Sequence, residues 1–249
     1  MNKIYLLLFA VVMTVLSCDT IKEAESSVNN VLNGGNSGNS GGGLTNDEVI
    51  SGLKSALEVG IKNATNLTSQ LDGFNKNLEI RVPWPEDAQD ARQKLIDLGM
   101  KSQVEKFEET LNRAAEEASK GAVDIFVKAI TSMTISDAMG ILKGNDNAAT
   151  EYLKKTTTDA LKEKFRPIVQ SAIDKVELTK YWNPLMTAYN KTTMLSGKPK
   201  INPDLKEFVT DKAITGLFKM VEKEEKKIRK DPIARVNDIL KKVFGSLDK

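Results

Sequence analysis

Residues 202–245 read NPDLKEFVTDKAITGLFKMVEKEEKKIRKDPIARVNDILKKVFG, and their periodicity decides the fold class. Asn202 is a helix cap and Pro203 suits the first helical position, where its missing N–H costs nothing. Leu205, Phe208, Val209, Ala213, Leu217, Met220, Val221 and Ile228 then recur at three- and four-residue spacing. That spacing predicts one apolar stripe on a helix running to about Lys230. At a rise of about 1.5 Å per residue it is roughly 40 Å long, enough to cross a small domain. Asp231-Pro232 repeats the cap-then-proline signal, so a second helix follows, with Ile233, Val236, Ile239, Leu240 and Val243 on its apolar face. Gly245 ends it. A helix this long is the spine on which shorter ones pack.

Working back toward the N-terminus, the same pattern repeats. Thr45-Asn46-Asp47-Glu48 fits a capping box and opens a helix lined by Ile50, Leu53, Leu57, Ile61, Ala64, Leu67 and Leu71. From Gly73 to Glu86 the helical pattern fails. Ile80, Val82 and Trp84 alternate there with Arg81 and Pro83, and Pro85 follows, which forces an extended path. Asp87 to Leu98 is the next helix, ended by Gly99. Ser102 with Glu105 reads as a second capping box, starting one long helix to Met133 or two with a kink near Gly121. Ser136 caps a short helix that ends at Gly144, and Ala148 to about Phe165 is another. Pro167 kinks or interrupts the next helix, whose core side is Ile168, Val169, Ala172, Ile173 and Val176. No strand and no internal repeat is read. The expectation is all-α: a single globular domain of about eight or nine helices over residues 44–249. A two-domain split would fall at the polar loop 196–201, but the spine helix needs the earlier helices to cover its stripe.

The N-terminus is of another kind. Lys3 precedes an apolar run, Ile4 to Leu16, that is too short to cross a bilayer and has the length of a signal-peptide core. Val15-Leu16-Ser17-Cys18 resembles the lipobox of bacterial lipoproteins, in which the chain is cut before a cysteine that is then diacylated. Residues 1–17 are therefore read as a lipoprotein signal peptide, Cys18 as the lipidation site, and residues 18–43 as a Gly/Ser/Asn-rich flexible tether. Two or three acyl chains, palmitate-like in length, hold a domain firmly on a membrane.

Composition excludes much chemistry. The 249 residues include no His and one Cys. Without imidazole there is no Ser-His or Cys-His device and no histidine metal site, and a lipidated Cys18 leaves no thiolate for zinc or iron–sulfur clusters. Glycine-rich phosphate cradles are absent. Ser51-Gly52-Leu53-Lys54 matches the S-x-x-K nucleophile motif, but the companion elements are missing. Asn145-Asp146-Asn147 lacks the calcium-loop spacing and reads as capping. Charged residues make up 28% and net charge is +2, with both signs interleaved, so nucleic acid is not an expected partner. No cofactor and no metal are expected.

Carboxylates remain. Glu224 and Glu225 lie in or beside the spine stripe, and a buried carboxylate must pair or neutralise. Arg113, Arg166, Arg229 and Arg235 are the candidate partners. Asn112, Arg113 and Glu116 form a second polar group among alanines. Together, Asn112, Arg113, Glu116, Glu224, Glu225, Arg229 and Arg235 are either a polar pocket with acid/base capacity or structural salt bridges that fix helix register, the second being favoured. Trp84 is a plug sealing the core or part of a binding surface. Of Tyr181 and Trp182, one packs and the other meets solvent or a partner, with Met186 and Tyr189 extending that patch.

Asn112-Arg113-Ala114-Ala115-Glu116, then DIFVKAITSMTISDA, GNDNAAT, FRPIVQSAIDKV, TKYWN, ITGLFKMVEKEEKKIRKDPIAR and ILKKVFG, resemble the bacterial family catalogued as domain of unknown function 4197. The resemblance runs from about Leu44 to Gly245. It implies an exported Gram-negative protein, often a lipoprotein, and brings no activity, cofactor or catalytic residue. The expected function is a membrane-tethered, non-enzymatic helical module of the cell envelope that binds a partner protein or has a structural role. The outer membrane is preferred over the inner, with the domain in the periplasm or at the cell surface. The alternatives are a carrier of a lipid or other apolar ligand and, behind it, a carboxylate-dependent hydrolase.

Overall fold

The computed structural model describes residues 45–97, 99–175, 182–183, 186, 190, 204–231, 235 and 238–245. The expectations for the signal peptide, Cys18, the tether, Tyr181, Tyr189 and the Asn202-Pro203 cap lie outside the described residues. Those that are described belong to one compact unit, Leu44–Lys249. They form α1 (Asn46–Ser69), a 3-10 turn (Glu86–Ala88), α2 (Gln89–Asp97), α3 (Lys101–Ser119) and α4 (Val123–Thr131). After these come α5 (Ile135–Lys143), α6 (Ala148–Lys175), α7 (Leu205–Lys230) and α8 (Asp238–Gly245), with no strand among the described residues. The architecture is all-α.

The spine is α7. It packs against α6, α1 and α3, and its stripe of Leu205, Val209, Ala213, Leu217, Met220, Val221 and Ile228 is buried. Facing it are Leu53 and Ile61 of α1, Leu111 and Ala114 of α3, and Leu153, Leu161 and Phe165 of α6, all essentially inaccessible. Each such large side chain contributes roughly 1.5–3 kcal/mol of burial, which sets α7 at the centre. Helices α6 and α7 run antiparallel, as the ion pairs Lys162–Asp211 (2.9 Å), Arg166–Glu207 (2.7 Å) and Lys230–Asp146 (2.6 Å) require.

Helix starts follow side-chain chemistry, and several differ from expectation. The Thr45–Glu48 capping box forms in full. The spine begins at Leu205, capped by Asp204, whose carboxylate accepts the Lys206 N–H (2.9 Å). Ser102 caps nothing, since α3 begins at Lys101 behind Met100. The short helix α5 is capped by Thr134 rather than Ser136, because Thr134 and Asp137 complete a capping box one turn apart. Of the two readings for residues 102–133, the broken one is observed, with the break between Ser119 and Val123. Pro167 sits inside an unbroken α6. Its ring removes one backbone hydrogen bond, but Phe165 and Val169 are fully buried on either side and Arg166 is clamped to Glu207, so packing holds the turn together. Leu67 and Leu71 do not join the buried face of α1: Leu67 is 42% exposed, and Leu71 lies past the helix end. No single helix among the described residues is long and apolar enough to cross a membrane.

Candidate functional site

Glu108, Asn112 and Glu116 lie four residues apart on α3 and so share one face, with Arg113 at its edge three residues before Glu116. That face holds a long non-helical stretch, residues 70–85, the one such stretch among the described residues. A segment outside helices must find partners for its backbone groups elsewhere, and α3 supplies them. Glu116 accepts the N–H groups of Phe74 and Asn75, both at 3.1 Å. Asn112 pairs with Val82 in both directions, accepting its N–H (2.7 Å) and donating to its carbonyl (3.1 Å). Glu108 receives Arg81 (3.0 Å) and Arg92 (2.7 Å) on its two oxygens.

Arg113 completes the bracket. Its guanidinium donates to Glu116 (2.8 Å), Asp72 (2.8 Å) and Glu109 (3.1 Å). Burial opposes its charge, but the bonds to Glu116, Asp72 and Glu109 outweigh that and hold its pKa above the usual arginine value. Asp72 takes the left-handed conformation, with φ of 68°. Hydrogen bonds from Lys76 and Arg113 hold its carboxyl down to about 2. Gly73 is required, because a Cβ there would lie 2.3 Å from the Leu67 carbonyl oxygen. Phe74 is fully buried and presses on Gly216 of α7, where a Cβ would stand 2.6 Å from the ring.

The loop so fixed turns leucines outward. Leu71 is 75% exposed and Leu78 is 89% exposed. The carboxylates beside them carry cation partners: Asp72 has Arg113 and Lys76, and Glu79 has Lys223 at 2.8 Å, while Lys219 bonds the Glu79 carbonyl.

The second polar group, on α7, has different partners and does not join the first. Both oxygens of Glu225 are occupied: one accepts the Ala149 N–H (3.0 Å) and Arg229 Nε (3.0 Å), the other the Thr150 N–H (2.9 Å) and hydroxyl (2.8 Å). Glu225 thus caps α6 from across the core, where the helix dipole favours negative charge. Arg229 continues to the Ile141 carbonyl (2.8 Å) and lies over the Phe244 ring. Buried Arg235 donates to the carbonyls of Ile228 (3.2 Å) and Arg229 (2.8 Å) and so closes the C-terminus of α7. Glu224 accepts from Asn63 of α1 (2.9 Å). Arg166, a candidate partner for these carboxylates, pairs with Glu207 instead. Asp146 is paired with Lys230, and no cluster of metal-ligating side chains occurs among the described residues. The cleft between α1, α7 and α8, lined by Leu53, Leu57, Ile61, Val221 and Phe244, has room for about 20 Å³, one water. Between α6 and α7 lies an open groove of about 520 Å³ with lysine walls over Ile214 and Phe218.

The family model for a protein of unknown function, DUF4197, matches residues 43–245. The chain belongs to this family. No curated protein and no solved structure matches it.

In this DUF4197 domain Trp84 is a plug in the core, the first of its two readings, and Trp182 packs, as one of its pair was expected to. Trp84 is buried, with its indole N–H on the Ala88 carbonyl (2.9 Å). Its ring meets Phe107 at 4.3 Å and Trp182 at 5.3 Å, while Phe107 and Trp182 stack at 5.0 Å. Trp182 and Met186 are buried too, so neither extends a surface patch: three rings packed together bury more area than any could alone. Residues 112–116 supply most of the bracket, and ITGLF (214–218) carries the glycine that admits Phe74. Sequence reasoning missed Asp72, Phe74 and Glu108. The Asp72-Gly73 pair was the available signal, since both residues tolerate a left-handed turn.

Proposed function

We propose that this protein is a membrane-tethered, non-enzymatic helical module of the cell envelope that works by docking through the 70–85 loop. The observation that carries the reading is the contrast between the loop and the buried carboxylates. The oxygens of Glu225 are committed to the α6 N-terminus and Arg229, and those of Glu116 to the loop backbone and Arg113. Neither offers the unengaged oxygen that a general base or a cation ligand uses. The loop, by contrast, is heavily braced and still presents Leu71 and Leu78 to solvent. Binding residues lie disproportionately on loops positioned by a rigid scaffold, and this loop is one. An apolar-ligand carrier would need an enclosed apolar cavity, whereas the cleft under α8 holds about 20 Å³ and the groove of about 520 Å³ between α6 and α7 is open and walled by lysines.

On this reading residues 1–17 are a lipoprotein signal, Cys18 is acylated and residues 18–43 are the tether. The supporting observations are the apolar run before the sole cysteine and the start of the compact unit at Leu44. Metabolic labelling with palmitate tests the anchor: label should appear on the chain and disappear in Cys18→Ser. Docking is tested by placing a photo-crosslinking residue at Leu78 in cells, with Ile135, equally apolar and also exposed, as the control. Adducts confined to position 78 support the reading, and none at either position refutes it.

A further inference from the structure

We propose that α8 is a latch: it undocks from α1 as a unit while the other helices stay folded, and it thereby uncovers an apolar slot along α1 and α7. The device stands apart from the 70–85 loop. Three features single out α8. First, its hold is narrow. The nearly as short α4 and α5 each pack on both α1 and α6, whereas α8 packs chiefly on α1. Eight residues are far too few for a helix to persist by itself, so α8 depends on that contact. Its Val243 and Phe244 are buried, while Asp238, Lys241 and Gly245 are exposed. Second, the slot beneath it is not filled. Leu53, Leu57, Ile61, Val221 and Phe244 leave about 20 Å³ between them, and the side chains that line this void forgo dispersion contacts on that side. Third, the walls of the slot are held without α8. Asn63 joins α1 to Glu224 of α7, and Lys54 joins α1 to the Thr131 carbonyl (3.1 Å) at the end of α4. Glu225 ties α7 to the start of α6, and Arg229 ties it to the Ile141 carbonyl of α5. None of these bonds passes through α8, so its departure removes apolar contacts and leaves the framework. Just ahead of it, buried Arg235 is bonded to the last carbonyls of α7, which anchors the chain there and confines the pivot to residues 236–237. An element with few buried contacts, docked on a structure that keeps its own bonds, opens locally at a lower free energy than the whole domain.

Hydrogen exchange on the full chain tests this. The amides of residues 242–245 should exchange at least about a hundredfold faster than those of residues 217–221 in α7, and still about tenfold or more slower than in an unfolded peptide. Urea below the unfolding transition should leave the α8 rate unchanged while the α7 rate rises. Phe244→Leu removes the ring that Arg229 covers and widens the void. It should quicken the α8 amides roughly tenfold and those of α7 by less than about twofold. Thiol labelling reads the slot itself. In a Cys18→Ser background, the thiol of Leu53→Cys should react with iodoacetamide although Leu53 is buried, at a rate that Phe244→Leu raises by the same factor. Equal exchange in α8 and α7, an α8 with no protection, or a Phe244→Leu effect shared by α7 overturns the proposal. So does a Leu53→Cys thiol that reacts only in urea strong enough to unfold the whole chain.

Discussion

Glu225 caps the start of α6, pairs Arg229 and ties both to α7. In Glu225→Gln one oxygen becomes an NH₂ group facing backbone N–H donors and a guanidinium. The expected loss is about 2–4 kcal/mol, since breaking a buried, hydrogen-bonded pair leaves the partner's charge behind. Glu224→Gln should cost under about 1 kcal/mol, because Glu224 meets Asn63 and a solvent-side Lys227. Urea unfolding of the two variants checks the ranking, and equal midpoints would refute it. Asp72 gives a pH dependence whose sign is fixed. Its folded pKa of about 2 lies below the usual 3.8, so its contribution is present above pH 3.8 and is lost as pH falls toward 2. Glu79, Asp137, Asp146 and Glu207 are lowered as well, each by its bonded partner. Acid unfolding should therefore steepen below about pH 4, and Asp72→Asn should flatten that limb in urea titrations run across the acid range. None of these long-range caps was legible in the sequence. Glu225 acts 76 residues from Ala149, and periodicity reports which face is buried, not which backbone group a carboxylate reaches.

At the scale of elements, two glycines on interacting faces should behave oppositely. Gly216→Ala drives a Cβ into the Phe74 ring (2.6 Å) and Ile80 (3.1 Å), and should destabilise by about 1–3 kcal/mol while loosening the loop. Gly60→Ala meets Ile228 and Glu224 at 3.5 and 3.6 Å, ordinary contact. It should be neutral or stabilise by up to about 1 kcal/mol through helix propensity. Thermal melts of both variants decide, and a destabilised Gly60→Ala would mean that α1 and α7 pack more tightly than these distances imply. The helices themselves were legible. Leu205 to Ile228 kept its stripe, and Thr45 kept its capping box, because three- and four-residue spacing is the direct imprint of burial on one face. The errors have local causes. Thr134 outcompeted Ser136 because Asp137 stands three residues after the threonine, an Asp in place of the usual Glu. Pro167 looked like a break because its cost is local while the packing that outweighs it comes from other helices.

For the whole molecule, the fold is built to be stable without the residues proposed to dock. Leu71→Ser and Leu78→Ser should shift stability by less than about 0.5 kcal/mol, because both side chains are largely solvated already. A loss much beyond that in urea unfolding would mean that the leucines belong to the core and not to a docking tip. The all-α class could be read from pattern alone, whereas the loop could not: its bracket joins residues 72–82 to α3 through single polar contacts that leave no period. The order of the helices also bears on how the chain is made. The first helix among the described residues, α1, rests on α7 and α8, with Asn63 bonded to Glu224 across 161 residues. A ribosome adding about 5–20 residues per second needs roughly ten to thirty seconds to cover that distance. For all that time only α3, α4 and α5 can meet α1, and the part of its apolar face that α7 and α8 cover waits bare until the end of the domain has been made.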